Sequence, residues 1–358
     1  MKACVLIEPG PAENLKILEV RDPGPPGEGQ VLMKVEASGI DGHDLVVRNG
    51  TMRGRGEQLE EMEVKENGSW IKRPGLILGH EIAGTVLEVG PGVTDLAVGD
   101  RIAPSGESNC GVCEFCRTGL SVKCTNRAMA HNGYAEMAVV PARAMMKIPE
   151  GISAAEACIV RCAIGTCLRG FMLAGEEPKF HHNILICGAG GGLGIHALQI
   201  AALTGGFVMA TTTSEHKIDM LKRYGASEVI YSPEGKFNEQ VMKLTNGSGA
   251  DYVMDTVGGT TFNNGGFRSL AYYGRYVFVG QINDEFARFA VPYLFWREAV
   301  LTGCNGGMYV DTQRGLELMA QKRIEAVISE RFKLEDTPRM HGLLEKRQIT
   351  GRAVIDFT

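Results

Sequence analysis

Four cysteines stand at 110, 113, 116 and 124, three, three and eight residues apart, among glycines and polar side chains. Tetrahedral zinc needs four soft donors delivered by a short loop, and a ligand set made only of thiolates leaves no open coordination place. Cys110, Cys113, Cys116 and Cys124 are therefore expected to hold a structural zinc, the alternative being reduced surface thiols or an opportunistic disulfide. A second chemistry-bearing stretch runs from Ile184 to Gln199, where an apolar run meets Gly188, Ala189, Gly190, Gly191, Gly192, Leu193 and Gly194 before apolar residues resume at helical spacing. Backbone stripped of side chains lets a pyrophosphate approach closely, and the free N–H groups of a helix start attract its charge. Because the glycines lie between a strand pattern and a helix pattern, a dinucleotide-binding turn is expected rather than a plain tight turn.

The end of the following strand discriminates between dinucleotides. NAD sites carry an acid there, about 20 residues past the glycines, to accept hydrogen bonds from ribose hydroxyls. Here the residues are Thr212, Thr213, Ser214, Glu215, His216 and Lys217. A carboxylate repels a 2′-phosphate, whereas hydroxyls and an ammonium attract one. Thr212, Thr213, Ser214 and Lys217 therefore predict NADP(H) over NAD(H), with Glu215 left as the alternative ribose acceptor.

These segments need elements to position them. Residues 1–153 read as short alternating strands punctuated by Gly and Pro, which is β-rich and barrel-like. From 154 the rhythm changes to strands at 184–187, 207–211, 229–231, 252–255 and 275–280, with helices at 193–203, 216–224 and 237–245. Such alternation implies a doubly wound parallel sheet over 154–303, an α/β organisation. The tail, 304–358, with a helix near 312–321 and a strand at 352–357, is expected to return to the first domain. Between Asn49 and Gly75 a charged insertion without clear period is expected to form a solvated loop or short helix, or else a lid over a substrate site.

At 358 residues the chain exceeds one ordinary core, and 44% hydrophobic with 22% charged residues excludes disordered and collagen-like classes. The net charge of −5, with no basic run, gives no footprint for nucleic acid. No apolar stretch reaches the roughly 20 residues that span a bilayer, and the short apolar start lacks the features of a secretory leader. A small-molecule substrate and the cytoplasm are the expected partner and setting.

Gly79, His80 and Glu81 before a strand, the four-cysteine loop, Gly133 to Glu136, and the glycine turn occur in one order. In that order the chain resembles the zinc-dependent alcohol dehydrogenase, or medium-chain dehydrogenase/reductase, family along essentially its whole length. Arg161 to Thr166 and Asp255 to Gly259 are most similar to its acryloyl-coenzyme A reductase-like branch. The resemblance implies a GroES-like catalytic domain, a Rossmann domain, a homodimer or homotetramer, and a second, catalytic zinc. Its ligands would be Asp41, His80 and Cys162, with water, substrate or Glu81 in the fourth place. Asp41 departs from the family, which has Cys at the matching position; a carboxylate also ligates zinc, although Asp41 alone also reads as a turn cap. By the same resemblance Asp44 orients His80, His43 takes the proton-relay position, Thr166 flanks the nicotinamide, and Arg352 reaches the pyrophosphate.

The chemistry so implied is hydride transfer between NADP(H) and a small alcohol or carbonyl. An enoyl-thioester reductase with only the structural zinc is the alternative, in which Arg53, Arg55, Lys72 and Arg73 of the insertion meet coenzyme A phosphates. A non-enzymatic dinucleotide-binding protein is the third. Pocket walls are expected from the insertion, Tyr134, Trp296 and the neighbourhood of Cys304.

Overall fold

The structure is a computed structural model that describes residues 1–51, 58–106, 109–118, 120–175, 177–281 and 285–358. The chain divides into two compact units, Met1–Arg161 with Met308–Ala320 and Ile328–Thr358, and Cys162–Gly307 with Gln321–Val327. Among the described residues no helix is long and apolar enough to cross a membrane.

The first unit is built on strands. Lys2–Leu6, Leu15–Val20, Glu60–Glu66 and Ser69–Ile77 close a small barrel. A seven-stranded sheet follows the order Ile328–Phe332, Arg352–Asp356, Gln30–Ile40, Ile82–Val89, Arg101–Pro104 and Met145–Lys147, with Met137–Pro141 also paired to Gln30–Ile40. Gln30–Ile40 alternates so that Val31, Met33, Val35 and Ala37 are buried, the period-two pattern of a half-covered sheet. At its end Asp41 caps a short helix, Gly42–Arg48, in a capping box with Asp44.

Over most of its described part the insertion is neither a loop nor a helix but a pair of strands. Residues 60–77 form a β-hairpin in which Met62 and Val64 turn inward while charges pair across the outer face, Lys65 with Glu19 at 2.9 Å and Lys72 with Glu61 at 2.8 Å. The high charge density hid the alternation. Asn67 and Gly68, both at positive φ, make the two-residue turn, and that pair was the readable signal. Arg73 likewise pairs with Glu66, so Lys72 and Arg73 already face acids; Arg53 and Arg55 lie outside the described residues.

The second unit carries a six-stranded parallel sheet in the order Glu228–Tyr231, Phe207–Thr212, Asn183–Cys187, Ala250–Asp255, Leu270–Phe278 and Val300–Gly303. From Asn183–Cys187 the chain winds outward to one side, then returns to build the other. The carboxyl end of that central strand is thus the point where strand order reverses, where doubly wound sheets bind ligands. Leu185, Cys187, Met209, Val253 and Tyr276 fill the core beneath it. The sequence missed the helices Ala154–Ile159 and Thr166–Leu173, joined through a π-helical turn, and the edge strand Val300–Gly303. In the tail, Tyr309–Ala320 is a helix of the first unit, whereas Gln321–Val327 belongs to the second.

Candidate active site and metal centres

In the first unit three loop ends meet. Asp41 Oδ1 accepts the backbone N–H groups of His43 at 2.8 Å and Asp44 at 3.1 Å, so this residue is a helix cap as well as a candidate ligand. Capping by one oxygen leaves Oδ2 directed at His80 Nε2, 3.6 Å away. His80 follows Gly79, whose φ of +94° requires glycine and where a Cβ would stand 2.5 Å from the Tyr134 ring. On the other edge of the imidazole, Nδ1 faces Asp44 Oδ1 at 3.6 Å. Asp41, His43, Asp44 and His80 each offer a ligand atom, all within 4.8 Å of one another. Two ligands of tetrahedral zinc with bonds of about 2.0–2.1 Å stand roughly 3.4 Å apart, so the Asp41–His80 separation leaves room for an ion between them.

Around this pair the charges are buried. Glu81 is fully buried, and Gly39 makes room for it, since a Cβ there would lie 2.1 Å from Glu81 Oε2. Arg352, expected at a pyrophosphate, is ion-paired in the first unit with Glu81, Nη2 to Oε1 at 2.8 Å, and lies 3.7 Å from Asp41 Oδ2. Its guanidinium serves carboxylates inside the first unit because Arg352–Asp356 pairs beside Gln30–Ile40. The His43 ring packs edge-on to His80 with centroids 4.9 Å apart, and its Nδ1 is buried without a hydrogen bond among the described residues.

Two participants, His341 and Arg48, went unread in the sequence, and a third was read in another role. Tyr134, expected in a pocket wall, is fully buried, and its hydroxyl donates to Asp44 Oδ2 at 2.9 Å and lies 3.1 Å from His341 Nε2. His341 is fully buried on the helix Thr337–Glu345, and desolvation pushes its pKa down to about 4. Arg48, also fully buried, is held by Gly10 O at 3.0 Å, Asn49 Oδ1 and Glu345 Oε1 at 3.1 Å. Histidine and arginine without a motif give no signal in a single sequence.

In the cysteine loop Cys113 Sγ is 3.4 Å and Cys110 Sγ 3.9 Å from Cys116 Sγ, and all four sulfurs lie within 4.8 Å of one another. None is in a disulfide. Zinc–sulfur bonds of about 2.3 Å place tetrahedral thiolates roughly 3.8 Å apart, so the set suits zinc. Backbone N–H groups of Cys113 and Cys110 point at the sulfurs of Cys110 and Cys124 at 3.4 and 3.5 Å, which favours thiolates. The Cys110 thiol is correspondingly drawn down to about 6, largely by such backbone donors.

In the second unit the glycine turn follows Asn183–Cys187. Gly188 has φ +71° and no room for a Cβ beside Thr256 Oγ1 and Val257, both at 2.7 Å. A Cβ on Gly194 would meet Gly188 O at 2.2 Å. The helix Gly194–Leu203 therefore starts tight against the strand end, with Leu193 as its cap residue and Gly190, Gly191 and Gly192 bare in front. Lys217 is folded onto the turn: Nζ donates to Gly190 O at 3.2 Å, and burial lowers its pKa. Thr212 Oγ1 and the Ser214 N–H join at 3.1 Å, and Thr213 is exposed beside them. The residues present fit a dinucleotide whose ribose end meets hydroxyls. Thr166 begins the helix Thr166–Leu173 and accepts the Gly307 N–H at 3.2 Å. Cys162, the remaining expected ligand, is the half-buried first residue of this unit, in the π-helical turn Val160–Gly165.

Residues 27–150 match the alcohol dehydrogenase GroES-like domain and residues 192–321 the zinc-binding dehydrogenase domain. The chain is 32% identical to a protein of Sulfolobus acidocaldarius named NAD-dependent alcohol dehydrogenase, covering 100% of each chain. It is 29% identical to the acryloyl-coenzyme A reductase of Sulfurisphaera tokodaii over 99% of each. The crystal structure of the alcohol dehydrogenase of Aeropyrum pernix superposes with a TM-score of 0.86 at 26% identity, covering 99% of this chain and 100% of that one. With the closed barrel, the reversing parallel sheet and the paired metal-ligand clusters, these likenesses make the chain a member of the medium-chain dehydrogenase/reductase family of oxidoreductases.

Proposed function

We propose that the protein transfers hydride between NADP(H) and a small alcohol or carbonyl compound, with a metal ion held by Asp41 and His80 and completed by Cys162. The observation that carries the reading is the placement of His80 between two carboxylates, Asp41 on its Nε2 edge and Asp44 on its Nδ1 edge. That is the arrangement of an imidazole ligand with an outer carboxylate. Zinc bound there supplies Lewis acidity toward a substrate oxygen. Asp44 holds the His80 ring, His43 offers Nδ1 for the hydroxyl proton, and Glu81 with Arg352 keeps the surrounding charge balanced. The hydroxyls of Thr212, Thr213 and Ser214 favour a 2′-phosphate, although relatives are named NAD-dependent. A homodimer or homotetramer in the cytoplasm completes the proposal, to be checked by sedimentation and fractionation.

Arg352 supports a second reading. A fixed guanidinium 3.7 Å from Asp41 Oδ2 already offsets the charge a metal would neutralise, which suits an enoyl-thioester reductase carrying zinc at the cysteines alone. Metal analysis with activity panels separates the two. Two zinc equivalents per chain, falling to one in His80→Ala together with loss of carbonyl reduction, are expected. One equivalent in the unaltered protein, with turnover of enoyl thioesters only, overturns the carbonyl reading. A higher kcat/KM for NADPH than for NADH checks the cofactor.

A further inference from the structure

We infer that Tyr134 and His341 are positioning residues which, through Asp44, fix the His80 ring with its Nε2 lone pair toward Asp41; the inference rests on the proposed metal site. The directions follow from what each group can do. Asp44 is buried, and its Oδ2 faces two groups that carry hydrogen, so it accepts and does not donate there. One oxygen, Oδ2, takes the Asp41 N–H at 3.1 Å and the Tyr134 hydroxyl at 2.9 Å. Having spent its proton on Asp44, the phenol can only accept from His341 Nε2, 3.1 Å away. His341 must then carry its hydrogen on Nε2. Its Nδ1 is buried without a hydrogen bond among the described residues, which is tolerable for a lone pair and costly for an N–H.

The polarity therefore runs one way, from His341 Nε2–H to Tyr134 O–H to Asp44. With Oδ2 occupied twice, Oδ1 is the acceptor facing His80 Nδ1 at 3.6 Å, which favours hydrogen on that nitrogen and leaves Nε2 of the ring its lone pair for a cation. Close packing of the rings supports this order. The Tyr134 and His341 rings meet edge to face with centroids 5.7 Å apart, Gly79 abuts the Tyr134 ring, and His341 is anchored beside Thr337 and Met340 on the buried face of its helix. A helix near the end of the chain thus sets the tautomer of a ligand from the Gly79, His80 and Glu81 turn.

The test measures zinc affinity at this site by competition with a chromophoric chelator, the cysteine site kept loaded, alongside nitrogen-15 NMR of histidine-labelled protein. Tyr134→Phe and His341→Leu each weaken zinc binding by about 10-fold or more, the range of such outer contacts. The double variant loses no more than the worse single, because both act on one chain of bonds. His341→Gln, which keeps an N–H donor, recovers most of the affinity. In the unaltered protein the spectra show hydrogen on Nε2 of His341 and on Nδ1 of His80, a readout independent of whether any variant folds. Hydrogen on Nδ1 of His341, unchanged affinity in both single variants, or fully additive losses overturns the inference. If His80→Ala keeps the second zinc equivalent, the metal site itself is wrong; if it loses that zinc while Tyr134→Phe and His341→Leu bind normally, only the positioning chain fails.

Discussion

At the scale of single residues, the first unit concentrates ionisable groups that water does not reach, and their titration must show in stability. His341 is the clearest case. Burial lowers its pKa from 6.5 to about 4, with Asp44 opposing and Arg48 reinforcing the shift. A base whose folded pKa lies below its unfolded value binds fewer protons when folded, so its contribution is full above pH 6.5 and is lost as pH falls through about 4. The span corresponds to about 3 kcal/mol at most. Only two tryptophans are present, Trp70 in the first unit and Trp296 in the second, so a Trp296→Phe background makes fluorescence report the first unit alone. Urea midpoints between pH 7 and pH 4 are expected to fall more steeply with His341 present than in His341→Gln. Equal slopes in the two proteins would mean that His341 titrates as it does in the unfolded chain.

Elements show where sequence reading succeeds and where it stops. The strands of the second unit were legible at 184–187, 207–211, 229–231 and 252–255, because parallel strands covered on both faces, as the central ones are, read as apolar runs. The cysteine cluster was legible because its spacing already encodes the geometry. The hairpin of residues 60–77 was not, since cross-strand ion pairs put charge on its outer positions and the inward side chains are few. Nor was the Tyr134–His341 contact, which spans 207 residues and has no local pattern. Arg352 shows a subtler limit: the residue was singled out, but its partner depends on Glu81 lying across the sheet. The glycine turn makes an element-scale prediction. Gly194→Ala sets a methyl against Gly188 O and Ala189 Cα, both backbone, so the helix Gly194–Leu203 must shift away from the strand end. Dinucleotide affinity is expected to drop at least tenfold, while the zinc content stays unchanged. Binding that survives in Gly194→Ala would place the dinucleotide elsewhere.

For the whole molecule, the lesson lies in how the chain is divided. The matched family domains end at residue 321, yet the last stretch, Ile328–Thr358, supplies Phe332, Leu334, Met340, Ile349, Ala353 and Ile355 to one core of the first unit. It also lays Arg352–Asp356 against Gln30–Ile40, and Arg352 beside Glu81. Removing it would expose the edge of a long central strand and leave Glu81 buried without that cation, two of the costliest changes a fold can suffer. The second unit has no such debt. Gln321–Val327 closes it by bonds between its backbone and side chains, with the Val327 N–H on His196 Nε2 at 3.0 Å and the Glu325 backbone joined to the Gln199 amide in both directions. A chain ending at Val327 is therefore expected to lose the first unit and retain the second. Hydrogen exchange would show residues 30–40 and 82–89 exchanging as freely as in urea, while 183–187 and 250–255 remain protected. Trp70 fluorescence would report unfolding and Trp296 none. Protection of residues 30–40 in the shortened chain would mean that the first unit is held together by residues 1–161 with 308–320, and that the last stretch shapes the site without supporting the fold.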